Sequence, residues 1–95
     1  MTNPSTQPTL DFYRRDGCEP CDEARLNLQQ VLEDRAKRGD QVPLVRYHDV
    51  AESQDLEIRF GPRLPVLVIG VDQLSLTVSR TSIASFLDSV LGRLA

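Results

Sequence analysis

Apolar and polar positions follow several distinct rhythms along this chain. Residues 9–14, TLDFYR, carry Leu10, Phe12 and Tyr13 in a short run that predicts a strand, with Asp11 as its misfit. A carboxylate in such a strand belongs near an end or on a wet edge. Ala24, Leu28, Val31 and Leu32 then recur at i, i+4, i+7 and i+8, which is one face of a helix. Asp22 and Glu23 suit its first turn, Arg35, Lys37 and Arg38 its last, and Gly39 its C-cap, so this helix is placed at 19–38. PLVRYHDV (43–50) predicts a second strand. SQDLEIRFG (53–61) predicts a short helix with Ser53 as N-cap and Gly61-Pro62 as its stop. PVLVIG (65–70) is apolar almost throughout, the pattern of a strand covered on both faces. Gly70-Val71-Asp72-Gln73 reads as a hairpin turn into LSLTVS (74–79), where Leu74, Leu76 and Val78 alternate with polar residues. The final segment, TSIASFLDSVLGRLA, puts Ile83, Phe86, Leu87, Val90, Leu91 and Leu94 at helical spacing, with Thr81 or Ser82 as N-cap.

The predicted order is therefore β-α-β-α-β-β-α. A first β-α-β unit with a right-handed crossover gives parallel strands, and the last two strands form an antiparallel hairpin. The expected architecture is α/β, a four-stranded mixed sheet with helices on both faces. Residues 1–8 read as a flexible polar lead-in, and residues 9–95 as a single domain.

Composition narrows the function classes. The chain has 95 residues and a net charge of −3, with no Lys/Arg cluster interleaved with aromatics, so no nucleic-acid or membrane partner is expected. MTNPSTQP lacks the basic region and apolar run of a signal peptide. The longest apolar run, LPVLVIGV (64–71), is too short to span a bilayer. A cytoplasmic monomer is the expectation.

The two cysteines, Cys18 and Cys21, lie together in RRDGCEPCDEA. That spacing suits half a zinc site, a small structural disulfide or a redox pair. A reducing compartment disfavours the structural disulfide. Zinc takes about four ligands, whereas the chain offers two Cys and one His, His48, which is thirty residues from Cys18. A cluster bridged between two chains would need outside ligands as well. Context favours redox chemistry. Cys18 follows a strand and precedes a helix, so it falls at or next to the N-cap, facing free N–H groups and the positive end of the helix dipole. Both favour the thiolate, which is the nucleophile. Cys21, one turn in, is more covered, which makes Cys18 the attacking thiol and Cys21 the resolving one. Pro20 fits the first helical turn. The bland alternative is a pair of unreactive first-turn cysteines.

FYRRDGCEPCDEA, followed by HDVAESQDLEIRFGPRLPVLVIG, resembles the glutaredoxin-like branch of the thioredoxin superfamily, in its smaller bacterial members, over about residues 9–92. The resemblance implies a thioredoxin-like fold and thiol–disulfide oxidoreductase activity in cell redox homeostasis. It matches Cys18 to the nucleophile and Cys21 to the resolving cysteine. Pro65 matches a proline held in cis beside the cysteines, and Leu64 before it would pair with a substrate chain through its backbone. Arg15, three residues before Cys18, would contact a glutathione carboxylate and help hold the thiolate. No bound cofactor is implied; the partners would be a disulfide-containing protein or glutathione.

The chain also departs from the family pattern. Its motif is Cys-Glu-Pro-Cys where Cys-Pro-Tyr-Cys is common. Glu19, with Asp16 and Asp22, works against a lowered Cys18 pKa, while Arg14 and Arg15 work for it. VIGVDQ offers Gly70 and Asp72 but no double glycine for glutathione. The position of the thioredoxins' buried Asp holds Phe12, and Asp11 beside it should point to the other face. The leading expectation is an oxidoreductase acting on protein or glutathione disulfides. The alternative is a redox-sensing or adaptor domain on the same fold, without turnover.

Overall fold

In the computed structural model, which describes residues 7–92, strand β1 (Thr9–Arg14) and helix α1 (Glu19–Arg38) occupy the expected positions. Most of the polar lead-in expected at 1–8 lies outside the described residues, as do residues 93–95. The chain continues through β2 (Leu44–Asp49), α2 (Gln54–Phe60), β3 (Val66–Ile69), β4 (Asp72–Ser75) and α3 (Arg80–Leu91). Single 3₁₀ turns at Val50–Glu52 and Gly61–Arg63 flank α2.

The four strands form one mixed sheet in the order β2-β1-β3-β4. β1 and β2 run parallel, with Asp11 opposite Arg46 and Tyr13 opposite His48. β1 and β3 are antiparallel, with Tyr13 opposite Val66. Side-chain alternation divides the core between the two faces. Leu10, Phe12, Leu67 and Ile69 join Ala24, Leu28 and Val31 of α1 and Ile83 and Leu87 of α3 on one face. Val66 faces the other way and packs with Val50 and Phe60, with Tyr13, Leu56, Leu64 and Val68 against them. β3 is thus covered on both faces, as its apolar run predicts. Helices cover both sides of the sheet, two on one face and the short α2 on the other.

Local signals explain most of the element ends. α1 stops at Gly39, which is left-handed at φ 79°. The N–H of Gly39 donates to the Ala36 carbonyl (3.1 Å) and that of Asp40 to the Arg35 carbonyl (2.9 Å), the pair of bonds that makes a Schellman motif. Ser53 caps α2 by accepting from the Leu56 N–H. Arg35 is fully buried at the end of α1, where its guanidinium donates to the Gln41 and Gly92 carbonyls and to Asp88. It ties the last turns of α1 and α3 together.

Four expectations need correction. The hairpin turn is shorter than expected, because pairing resumes at Asp72 opposite Ile69. The strand after it ends at Ser75 rather than Ser79, since Leu76 leaves the ladder at φ 60°. The cause lies in β3: beyond the Val66–Ser75 pair comes Pro65, which has no N–H, and the Leu76 N–H turns to the Arg63 and Pro65 carbonyls at 3.2 and 3.0 Å. α3 consequently starts earlier, capped by Ser79 and not by Thr81 or Ser82. Finally, Asp11 sits neither at a strand end nor on an edge strand. It is in the middle of β1, where Arg46 donates to it at 3.1 Å and His48 Nε2 lies 2.8 Å away. Cross-strand partners make that position tolerable. Its side chain does point away from the face that buries Phe12.

No helix among the described residues is long and apolar enough to cross a membrane.

Candidate functional site

β1 delivers the chain into a tight turn before α1. The Cys18 N–H donates to the Arg15 carbonyl at 3.3 Å, and Gly17 supplies φ 79°, as the third residue of a type II turn requires. Cys18 is then the N-cap of α1, with extended backbone. Its Sγ accepts from the Cys21 N–H at 3.2 Å, where a Ser or Asp cap would place an oxygen. Pro20 offers no N–H, so Cys21 is the donor left to face the sulfur. Cys18 is half-buried, Cys21 is 1% exposed, and the two are joined in a disulfide.

The geometry gives the two sulfurs different environments. Reduced, a Cys18 thiolate would keep the Cys21 N–H and the positive end of α1, a twenty-residue helix. Cys21 has no such exposure and is bonded to Cys18.

The charges nearby are largely spoken for. Arg14 donates to Asp16 at 2.5 Å and lies 3.7 Å from Asp49 across the sheet. Its pKa is raised, chiefly by the hydrogen bond to Asp16, so it stays a cation. Arg15 forms an ion pair with Glu57 of α2. Glu19 and Asp22 of the first turn of α1 are exposed.

The Leu64–Pro65 peptide bond is cis. Val66 lies opposite Tyr13, so Leu64 and Pro65, just before β3, lie at the end of the sheet where β1 feeds the cysteine turn. The Pro65 carbonyl is taken by Leu76, whereas the Leu64 carbonyl accepts no backbone hydrogen bond among the described residues.

Of the residues singled out from sequence, the structure joins Cys18 to Cys21, and strand register brings Leu64 and Pro65 to the same end of the sheet. Arg15 is there too, but its guanidinium is turned to Glu57. Sequence reasoning missed Glu57 and Leu76, since neither contact has a local signal. Gly61 does cap the C-terminus of α2, as expected, its N–H donating to the Glu57 carbonyl. Gly61 is not left-handed; its φ and ψ are −49° and −44°, open to any residue. A side chain there would collide with Glu57 and crowd Arg15.

On the α2 side of β1, Tyr13 stacks between His48 (4.8 Å) and Phe60 (4.0 Å). Burial, and then the nearby Asp11 carboxylate, push the Tyr13 pKa up. Among the described residues no three His, Cys, Asp or Glu side chains converge as a metal-binding group.

A family model, Glutaredoxin-like domain (DUF836), matches residues 9–89. Among solved structures the chain is similar to a malarial protein, with a TM-score of 0.60 and 14% identity, over 90% of this chain and 99% of that one. At that identity the likeness speaks for the fold alone. No curated protein matches the chain in sequence.

Proposed function

The chain belongs to the glutaredoxin-like domain family and has its thioredoxin-like α/β fold, and we propose that it works as a thiol–disulfide oxidoreductase. One observation carries the reading: two cysteines joined in a disulfide at a helix N-terminus, with Cys18 half-exposed and Cys21 buried.

The cycle starts from the dithiol. The Cys18 thiolate attacks one sulfur of a substrate disulfide. The substrate S–S bond breaks, a Cys18–substrate disulfide forms, and the departing thiolate takes a proton. Cys21 then loses its proton and attacks the Cys18 sulfur. The second substrate thiolate leaves, and the Cys18–Cys21 disulfide remains. Two electrons have passed to the substrate, and an external dithiol or two molecules of glutathione return them. No bound cofactor is needed. The substrate class is a protein disulfide or a glutathione disulfide, met by a monomer in the cytoplasm.

The remaining residues take supporting roles. Cis-Pro65 and the Leu64 backbone offer the substrate chain a strand-like contact. Arg15 stands close to where a substrate carboxylate would lie.

The test is a pair of variants. Cys18→Ser should abolish disulfide reduction by either a dithiol or glutathione. Cys21→Ser should instead accumulate a mixed disulfide at Cys18, read by intact mass. A Cys18→Ser protein that still captures its partner, with no turnover in the wild type, would point to the adaptor reading.

A further inference from the structure

Arg15 leads into the cysteine turn, and its side chain runs to α2 to pair with Glu57. Both side chains are 41% exposed, so water reaches the pair and the pair can exchange partners. The arrangement is built in, because a third segment makes room for it. Gly61 has ordinary right-handed helical backbone. Nothing in its conformation calls for glycine. Yet a Cβ there would lie 2.5 Å from Glu57 Oε1 and 3.1 Å from Arg15 Nη2. The missing side chain leaves the space in which the two charges meet. Arg14, the other cation before the cysteines, is occupied by Asp16 and Asp49.

We infer that Glu57 is a specificity-determining residue of the Cys18 site. It occupies the Arg15 guanidinium, so an anionic substrate engages Arg15 only by displacing the Glu57 carboxylate. Uncharged or cationic disulfides meet no such competition. The exposed carboxylates Glu19 and Asp22, next to the cysteines, add to the same bias. This inference rests on the redox reading for its biological meaning, but it concerns an ion exchange that can be measured without turnover.

The experiment titrates S-methylglutathione, an anionic ligand with no thiol to exchange, into the reduced full chain and follows the Arg15 side-chain signal by NMR. Glu57→Gln should tighten binding about two- to fivefold, the span that a half-exposed ion pair supplies. Gly61→Ala reaches the same end without removing a charge, by pushing the flexible Glu57 side chain away, and should give a gain in the same direction. Adding Arg15→Gln to Glu57→Gln should erase the gain. In parallel, the ratio of kcat/KM for oxidised glutathione to that for the uncharged hydroxyethyl disulfide should rise in both single variants. Unchanged affinity in Glu57→Gln and Gly61→Ala, or a gain that survives without Arg15, would overturn the inference. A binding gain in a protein that reduces no disulfide would leave the inference standing and remove the redox reading. Turnover with no gain would do the reverse.

Discussion

Tyr13 shows how much a residue's behaviour depends on partners the sequence places far away. Its ring lies between His48 and Phe60, from β2 and the end of α2. Burial disfavours its phenolate, and the Asp11 carboxylate adds to the effect, so its pKa is raised. The folded state then holds the Tyr13 proton more tightly than the unfolded chain does. That contribution to stability is complete below the unfolded tyrosine pKa of about 10 and is lost as pH rises through the folded value. Urea denaturation midpoints measured across this range should fall more steeply for the wild type than for Tyr13→Phe; parallel slopes would refute the assignment. The unequal exposure of Cys18 and Cys21 was legible because it depends on position within one helical turn. Asp11 looked out of place because Arg46 and His48 become its neighbours only through the parallel register of β2. Arg15 was singled out from sequence, but its partner was not, because Glu57 reaches it across the fold.

At the level of elements, α1 was legible to the residue and the hairpin was not. The ends of α1 are set by groups inside a few residues of each terminus: Cys18 as N-cap, and Gly39 in its left-handed conformation. The end of β4 is set by a distant proline. Leu74, Leu76 and Val78 carry a strand-like alternation, yet β3 has no N–H to offer beyond Val66, and the ladder stops. Leu76 is left at φ 60° and 67% exposed, held by its N–H bonds to the Arg63 and Pro65 carbonyls. Left-handed backbone costs a leucine about 1–2 kcal/mol, and asparagine less. Leu76→Asn keeps the N–H and gives up little packing, so it should raise stability by up to about 1 kcal/mol in chemical denaturation. A loss of stability would mean that the exposed leucine packs on something, and the strain argument would fail.

For the molecule as a whole, the core and the Cys18–Cys21 pair occupy separate parts of the structure. The larger core gathers β1, β3, α1 and α3, and the smaller one gathers α2 with β3 and the turn after β2. The Arg35 clamp at the far end of α1 closes the larger one. The Cys18–Cys21 bond joins residues only three apart, so it ties no two elements together. Constraint of the unfolded chain scales with the loop closed, and a loop this short contributes at most about 2 kcal/mol. A protein that cycles between disulfide and dithiol needs that independence, since both states have to present the same surface to a substrate. Reduction should therefore leave far-UV circular dichroism and the core amide pattern unchanged, and lower the denaturation free energy by no more than about 2 kcal/mol. Loss of the cooperative transition on reduction would show instead that the bond holds the fold, and the pair would then be structural rather than catalytic.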